Sequence, residues 1–377
     1  MKLYEYIIRR LLLMVFVLFA VSLIIFWLVR GQVPPAALVA PYITPRMTEV
    51  AKLLEAQGLG IATLSCHSWT DFTNRVPGCI VPLQAQYLTW LENVLKGNFG
   101  FSLIPGLAPG TQTLKLFDGL FPVTAELAIT SLILTVVIAF PLGVISATHN
   151  NKWPDHLSRI FALSGYSIPI FWLAFVLQII FVIYVSVPIG RGLSLNLLPG
   201  SGDIGTSCYL CFANPGAAHA YTGMPMLDGI LSLNFRYFWD GLVAVILPSI
   251  TLAVATIAAL TRILRSSMLE CLRQDYILLA RSKGLRERTV VYKHALKNAI
   301  LPAITITGLI FAFLLGGVVV IETIFTWPGV GRAAVDAAQA FDVNFLELYV
   351  LITALIIVLA NLTVDVLYAV LDPRIRY

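Results

Sequence analysis

The sequence predicts an all-α integral membrane protein with six transmembrane helices, and three observations carry that prediction. Charged side chains make up only 12% of the 377 residues, against about 25% in an ordinary soluble domain. Hydrophobic residues reach 58%, and a single soluble globule has too little polar material to cover that much apolar surface. The uncharged residues are also gathered into long runs, which is the arrangement a bilayer selects. The net charge of +5 is small for the length, so composition argues against a nucleic-acid-binding protein.

With Asp, Glu, Lys and Arg as markers, apolar intervals run over residues 11–29, 127–147, 160–190, 241–261, 298–321 and 348–364. Each of the first five meets the ~18-residue criterion for a membrane span, and the sixth does so if Asp365 lies near its end. Residues 204–227 are also free of these four types, but their Gly, Pro, Ser, Thr and Asn content reads as a loop. Pro169, Pro248, Pro302, Gly308 and the Gly316-Gly317 pair fall inside spans. Neighbouring helices in a packed bundle re-satisfy the backbone groups that such residues free.

Orientation follows from Lys and Arg. An inside N-terminus places 16 of the 25 basic residues in the inner segments, which are far shorter than the outer ones, so both termini are expected in the cytoplasm of a multi-pass cell-membrane protein. Met1 to Arg10 followed by an apolar run has the layout of a secretory leader. The run is longer than a usual leader core and Arg30 follows it directly, so an uncleaved first span is expected.

Residues 31–119 then form an extracytoplasmic insert between the first two spans. Helical patterns occur at Thr48 to Gln57, around Val50, Leu53 and Leu54, and at Gln84 to Leu95, around Tyr87, Leu88, Leu91 and Val94. The second outer segment is rich in Gly, Ser, Asn and Pro and looks irregular. Cys66, Cys79, Cys208 and Cys211 all fall outside, where Cys66 with Cys79 and Cys208 with Cys211 would be the local disulfides. Free thiols remain open, as does Cys-x-x-Cys acting as a redox pair or half a zinc site. The loop lacks a thioredoxin-like setting, and His67 and His219 do not supply clear zinc-ligand spacing.

The densest basic stretch, residues 266–302, faces the cytoplasm. Leu272, Tyr276, Leu279 and Ala280 are spaced for one apolar helical stripe. Arg281 and Lys283 sit in the last turn, Gly284 follows as a left-handed stop, and Leu285 can fold back on Leu279 or Ala280. A short helix, a sharp turn and a second helix leading into the fifth span are expected. Such an element suits an anionic lipid surface or a protein partner equally well.

Asp275-Tyr276-Ile277-Leu278-Leu279-Ala280-Arg281-Ser282-Lys283-Gly284-Leu285, followed by His294-Ala295-Leu296-Lys297-Asn298-Ala299-Ile300-Leu301-Pro302, closely resembles the cytoplasmic coupling loop of binding-protein-dependent ABC importer permeases, in the form seen in the dipeptide, oligopeptide and nickel subfamily. The generic family loop begins Glu-Ala-Ala, of which this sequence keeps only Ala280 and the later Gly284. Ile321 to Arg332 is similar to the family's outer turn after the fifth span, and Asn361 to Tyr377 to its C-terminal ending. Gly97-Asn98-Phe99-Gly100-Phe101-Ser102 is similar to a family Gly-Asp-x-Gly-x-Ser stretch, with Asn98 in place of the acid.

The resemblance implies a type I importer permease fold, with residues 1–30 as the N-terminus and first span and residues 120–377 as the core. It implies a second, homologous permease subunit, two ABC ATPase subunits and an extracytoplasmic substrate-binding protein as partners. ATPase coupling would fall to Asp275, Tyr276, Leu279, Ala280, Arg281, Lys283, Gly284 and Leu285. Glu322, beside the outer turn, would be a candidate for lining the translocation pathway. The sequence has no Gly-Lys dipeptide and therefore no G-x-x-x-x-G-K-[ST] loop to cradle phosphates. ATP and Mg are accordingly expected in the ATPase partners, with no cofactor, metal or enzymatic activity in this chain.

Peptide is the first expectation for the solute and oligosaccharide the second, with nickel also known in the subfamily. A stand-alone secondary transporter or channel would need its own coupling-ion site, and no mid-membrane acid pair is visible. An intramembrane enzyme would need a catalytic constellation, and neither H-E-x-x-H nor Gly-x-Ser-x-Gly occurs.

Overall fold

In the computed structural model, the described residues are 3–32, 39, 48, 52, 55, 59, 61–62, 66–74, 78–102, 104, 111–184, 187–189, 193–195, 221–316 and 319–371. In chain order they form α1 (Leu3–Gln32), α2 (Trp69–Thr73), α3 (Leu83–Leu95), α4 (Thr113–Thr148), α5 (Trp153–Ser167) and α6 (Ile170–Gln178), the last continued by a π-helical segment, Ile179–Tyr184. A short ribbon of β1 (Val187–Ile189) and β2 (Leu193–Leu195) follows, antiparallel with Val187 opposite Leu195. Then come α7 (Pro225–Leu231), α8 (Phe235–Leu272), α9 (Asp275–Ser282), α10 (Glu287–Leu315), α11 (Val319–Ile324), α12 (Val330–Gln339) and α13 (Val343–Leu371).

Helices α1, α4, α8, α10 and α13 are each long and apolar enough to cross a membrane, and the bent pair α5–α6 meets the same test when its two helices are taken together, which makes up to six. The interval 160–190 is therefore not one straight span. Its pair of helices bends by 99° at Ile168 (φ −79, ψ 123) and Pro169 (φ −59, ψ 129). The proline ring pushes the residue before it out of the helical region, and the chain turns a corner there. The interval 298–321 is likewise interrupted, since α10 stops at Leu315 with Gly316 as its cap and α11 is a separate helix.

The chain divides into two compact units. One contains Met1–Ile8, Pro122–Pro328 and Ile356–Tyr377, and the other Arg9–Phe121 and Gly329–Leu355. In the first unit, small residues permit close helix contact. A Cβ at Gly143 would sit 3.0 Å from Leu264, and one at Gly308 would run into Val364. One apolar cluster joins Leu260, Leu264 and Met268 of α8 to Ile277 and Ala280 of α9 and to Val290, Ala295 and Ala299 of α10. A second joins Val123 and Leu127 of α4 to Val245 and Leu247 of α8 and to Ile321, Phe325 and Trp327.

The second unit is built around aromatic packing. Phe26 of α1 meets Tyr87 and Trp90 of α3 at ring distances of 5.2 and 5.3 Å. Arg30 lies over the Phe26 ring and donates to buried Glu347 at 2.9 Å. The predicted helix at Gln84 to Leu95 forms as α3, burying Tyr87 and Trp90 while Leu88 points outward. On α12, Val330, Ala333, Ala334 and Ala337 make one helical stripe, packed with Phe117, Phe345 and Leu348. Cys66 and Cys79 are joined by a disulfide (S–S 2.12 Å). Cys208, Cys211, His219, Gly317, the residues after Leu371 and most of the Thr48 to Gln57 pattern lie outside the described residues.

Candidate coupling site

The element singled out in the sequence forms at the basic end of the first unit. Helix α8 ends at Leu272, and α9 restarts after Gln274, whose extended backbone (φ −76, ψ 150) caps it. Asp275 falls in the first turn of α9, where a negative charge complements the helix dipole. The helix closes on a left-handed Gly284 (φ +75). Gly284 N–H donates to the Arg281 carbonyl at 2.9 Å and Leu285 N–H to the Ala280 carbonyl at 3.4 Å. That pair of bonds is a Schellman motif, which satisfies carbonyls that would otherwise be orphaned.

The buried face differs from the stripe read in the sequence. Ile277 and Ala280 are the buried residues of α9, at 0% and 7% exposure. Tyr276, Leu278 and Leu279 are exposed, the last two by 65% and 56%, and Leu285 is also open. The expected stripe counted its period from Leu272, which belongs to α8. The break at Arg273 and Gln274 resets the helical phase, so Tyr276 and Leu279 turn away from the core. The consequence is an anchored helix with an apolar outer face, because Ile277 and Ala280 pack against α8 and α10.

Charged and polar neighbours fix the turn. Arg281 donates to Glu287 through Nη2 at 2.6 Å and Nε at 3.1 Å, which joins α9 to the start of α10. This two-pronged bond holds the Arg281 guanidinium above its ordinary pKa. Asn298 donates to the Tyr276 hydroxyl at 3.0 Å. Lys283 is the exposed C-cap of α9. Beneath the turn, α10 carries a π-helical segment, Val290–Ala295, with Val290, Val291 and Ala295 buried. A local π segment re-aims the helix that follows it, a feature common at functional sites.

Sequence reading missed the neighbouring ionic cluster. Buried Asp155 accepts from Arg265 Nε at 2.6 Å, from Arg265 Nη2 at 3.0 Å, from Ser146 Oγ at 2.6 Å and from the Asn151 N–H at 2.9 Å, and it also bonds Arg159. Only the Asp155 and Arg159 spacing, one helical turn, was visible in the sequence. Glu322 is fully buried, accepting from Thr124 Oγ1 at 2.9 Å within the second apolar cluster's surroundings. It is packed on α4 and not grouped with the α9 residues.

In the second unit, the Gly97 to Ser102 stretch has a clear local logic. Gly97 and Gly100 are left-handed (φ +76 and +75), and Gly100 N–H donates to Asn98 Oδ1 at 3.1 Å. An Asn oxygen serves this turn as well as an Asp oxygen, so the substitution keeps the geometry. Ser102 Oγ donates to buried Asp342 at 2.5 Å, and Asn344 Nδ2 to the Phe101 carbonyl at 2.9 Å. Among the described residues no group of three or more His, Cys, Asp or Glu side chains could hold a metal ion.

Fold and site together define a polytopic helical membrane protein that presents a short anchored helix at its basic end. Residues 139–377 match the family described as binding-protein-dependent transport system inner membrane component. The chain is 40% identical over 288 residues to the dipeptide transport system permease protein DppB of Haemophilus influenzae, covering 76% of this chain and 80% of that protein. It is 35% identical over 380 residues to DppB of Alkalihalophilus pseudofirmus, covering 99% of both. It is also 37% identical over 297 residues to the oligopeptide transport system permease protein AppB of Bacillus subtilis, covering 78% of this chain and 81% of that one. The chain belongs to this family of inner membrane transport components, the one its residues 275–302 resemble, and is an ABC importer permease subunit.

Proposed function

We propose that this chain forms half of the translocation pathway of an ABC importer for short peptides, pairing with a second permease and with two ATPase subunits. Solute arrives on an extracytoplasmic binding protein, and both termini of this chain lie in the cytoplasm. ATP and Mg are held by the ATPase partners, and this chain hydrolyses nothing itself. Peptide as the solute rests on the names of the relatives, which are dipeptide and oligopeptide permeases.

The single observation that carries the coupling role is the two-sidedness of α9. Ile277 and Ala280 lock it to α8 and α10, while Tyr276, Leu278 and Leu279 offer an apolar face next to the charges of Asp275, Arg281 and Lys283. An ATPase groove gripping that face would push on the spans through a packed core. Interiors are stiff enough to pass such a displacement on.

Gly284→Val tests the role. The space beside Gly284 is open, so the change acts through backbone strain at a positive φ and leaves packing alone. The expected outcome is about a tenfold fall in transport-coupled ATP hydrolysis with unchanged affinity for the binding protein. Normal coupling in this variant would remove α9 from the mechanism. The solute is tested separately, by identifying what co-purifies with the partner binding protein.

A further inference from the structure

Two apolar intervals end at one place on the basic side of the first unit. On α8 the charge-free run 241–261 stops at Arg262, and on α5 the run beginning at Ile160 is preceded by Arg159. Between these helices lies a cavity of about 270 Å³. Arg159, Leu163 and Tyr166 line it from α5, and Thr261, Arg262 and Arg265 from α8, with small alanines and serines completing the wall. The cavity thus straddles the boundary between hydrocarbon and headgroup, apolar on one side and cationic on the other.

Its charge is only partly balanced. Asp155 takes Arg265 and Arg159 as partners, which offsets one of the three positive charges. Arg262 meets no carboxylate among the described residues, and its guanidinium lies 5.4 Å from the Tyr166 ring centre. Thr261 Oγ1 is buried, in a residue only 2% exposed, and has no hydrogen-bond partner among the described residues, and Arg159 Nε is buried in the same condition. A hydroxyl on a membrane helix ordinarily bonds back to the carbonyl one turn earlier. Here two residues with a buried, unpaired donor and one exposed arginine line the same cavity, and leaving the two buried donors unpaired is costly.

We propose that this cavity binds the phosphate of a single anionic glycerophospholipid from the leaflet on the α9 side. The phosphate sits among Arg159, Arg262 and Arg265 and accepts from Thr261, while the acyl chains run along Leu163 and Tyr166. These two side chains are exposed by 69% and 68%, and a soluble phosphate would make no use of them. Guanidinium forks suit phosphate oxygens, and basic pockets between membrane helices at a headgroup level are suited to lipid phosphates. The bound lipid would tie α5 to α8 beside the cluster in which Leu264, Met268 and Ile277 anchor α9.

The test is native mass spectrometry of the full-length chain in mild detergent, titrated with phosphatidylglycerol, with phosphatidylcholine of the same acyl chains, and with inorganic phosphate. The expected result is one discrete phosphatidylglycerol adduct, a phosphatidylcholine adduct about tenfold weaker, and no displacement by millimolar phosphate. Arg262→Gln spares the Asp155 bonds and should weaken the phosphatidylglycerol adduct about tenfold, and Thr261→Val about threefold. Equal adducts with both lipids, or a phosphatidylglycerol adduct unmoved by Arg262→Gln, overturns the site. Displacement by inorganic phosphate overturns the lipid as its occupant. If Arg262→Gln does not fold, Thr261→Val decides, and a wild-type adduct in that variant overturns the proposal.

Discussion

The two ends of the first unit solve the same two problems with different chemistry. At the α9 end, the buried acid Asp155 is held by two arginines, and the helix is closed by glycine. At the opposite end of the same helices, buried Glu126 accepts from the Met226 N–H at 2.6 Å, and Trp327 Nε1 donates to the Val123 carbonyl at 3.1 Å. There α11 ends in the same Schellman geometry, with Trp327 N–H to the Glu322 carbonyl at 2.7 Å, but its left-handed residue is Thr326 (φ +50). Leu233 (φ +53) plays that part after α7. A β-branched residue such as Thr326 is strained at a positive φ. The α9 end therefore relies on ion pairs and a glycine-closed turn, while the far end relies on backbone and side-chain hydrogen-bond donors and tolerates strain.

Replacing the acids should separate the ends most. Asp155→Asn removes the charge that two partly buried arginines share, and should destabilise the chain by about 3 kcal/mol. Glu126→Gln keeps an acceptor for Met226 N–H and should change stability by less than about 1 kcal/mol. Thermal unfolding in detergent reads both, and equal losses would erase the distinction between the ion-paired end and the hydrogen-bonded one.

Next in size is the contrast within α9 itself. Ile277→Ala should cost about 2–4 kcal/mol, because the side chain is wholly buried. Leu279→Ala should leave stability within about 0.5 kcal/mol while lowering coupled ATP hydrolysis. A large stability loss at Leu279 would mean that α9 is seated the other way round.

The turns give the smallest effects, with opposite signs. Gly284→Ala should lose about 1 kcal/mol, and Thr326→Gly should gain up to about 1 kcal/mol, since each changes a side chain at a left-handed position. Chemical denaturation of both variants would check the signs. A Thr326→Gly variant less stable than the parent would show that the threonine makes contacts worth more than its strain.

Residues 275–285 were legible in the sequence because a helix cap is local: Gly284, the basic last turn and Leu285 fall within a few positions of one another. The buried phase of α9 was misread for an equally local reason, the helix break at Arg273 and Gln274, which hydrophobic spacing does not reveal. Leu88 was misassigned too, because the face of α3 that is buried is decided by its partner Phe26, more than fifty residues earlier in the chain.

By itself the sequence determined the six apolar runs, the basic bias, the glycine-closed turn and the family, since hydropathy and turn chemistry add up along the chain. Only the tertiary structure decided the 99° corner between α5 and α6, the grouping of residues 329–355 with 9–121, and the meeting of Asp155 with Arg265. Those depend on which helices come together. A charged side chain on a membrane helix shows its cost in its own sequence, but the partner that offsets this cost lies on another helix.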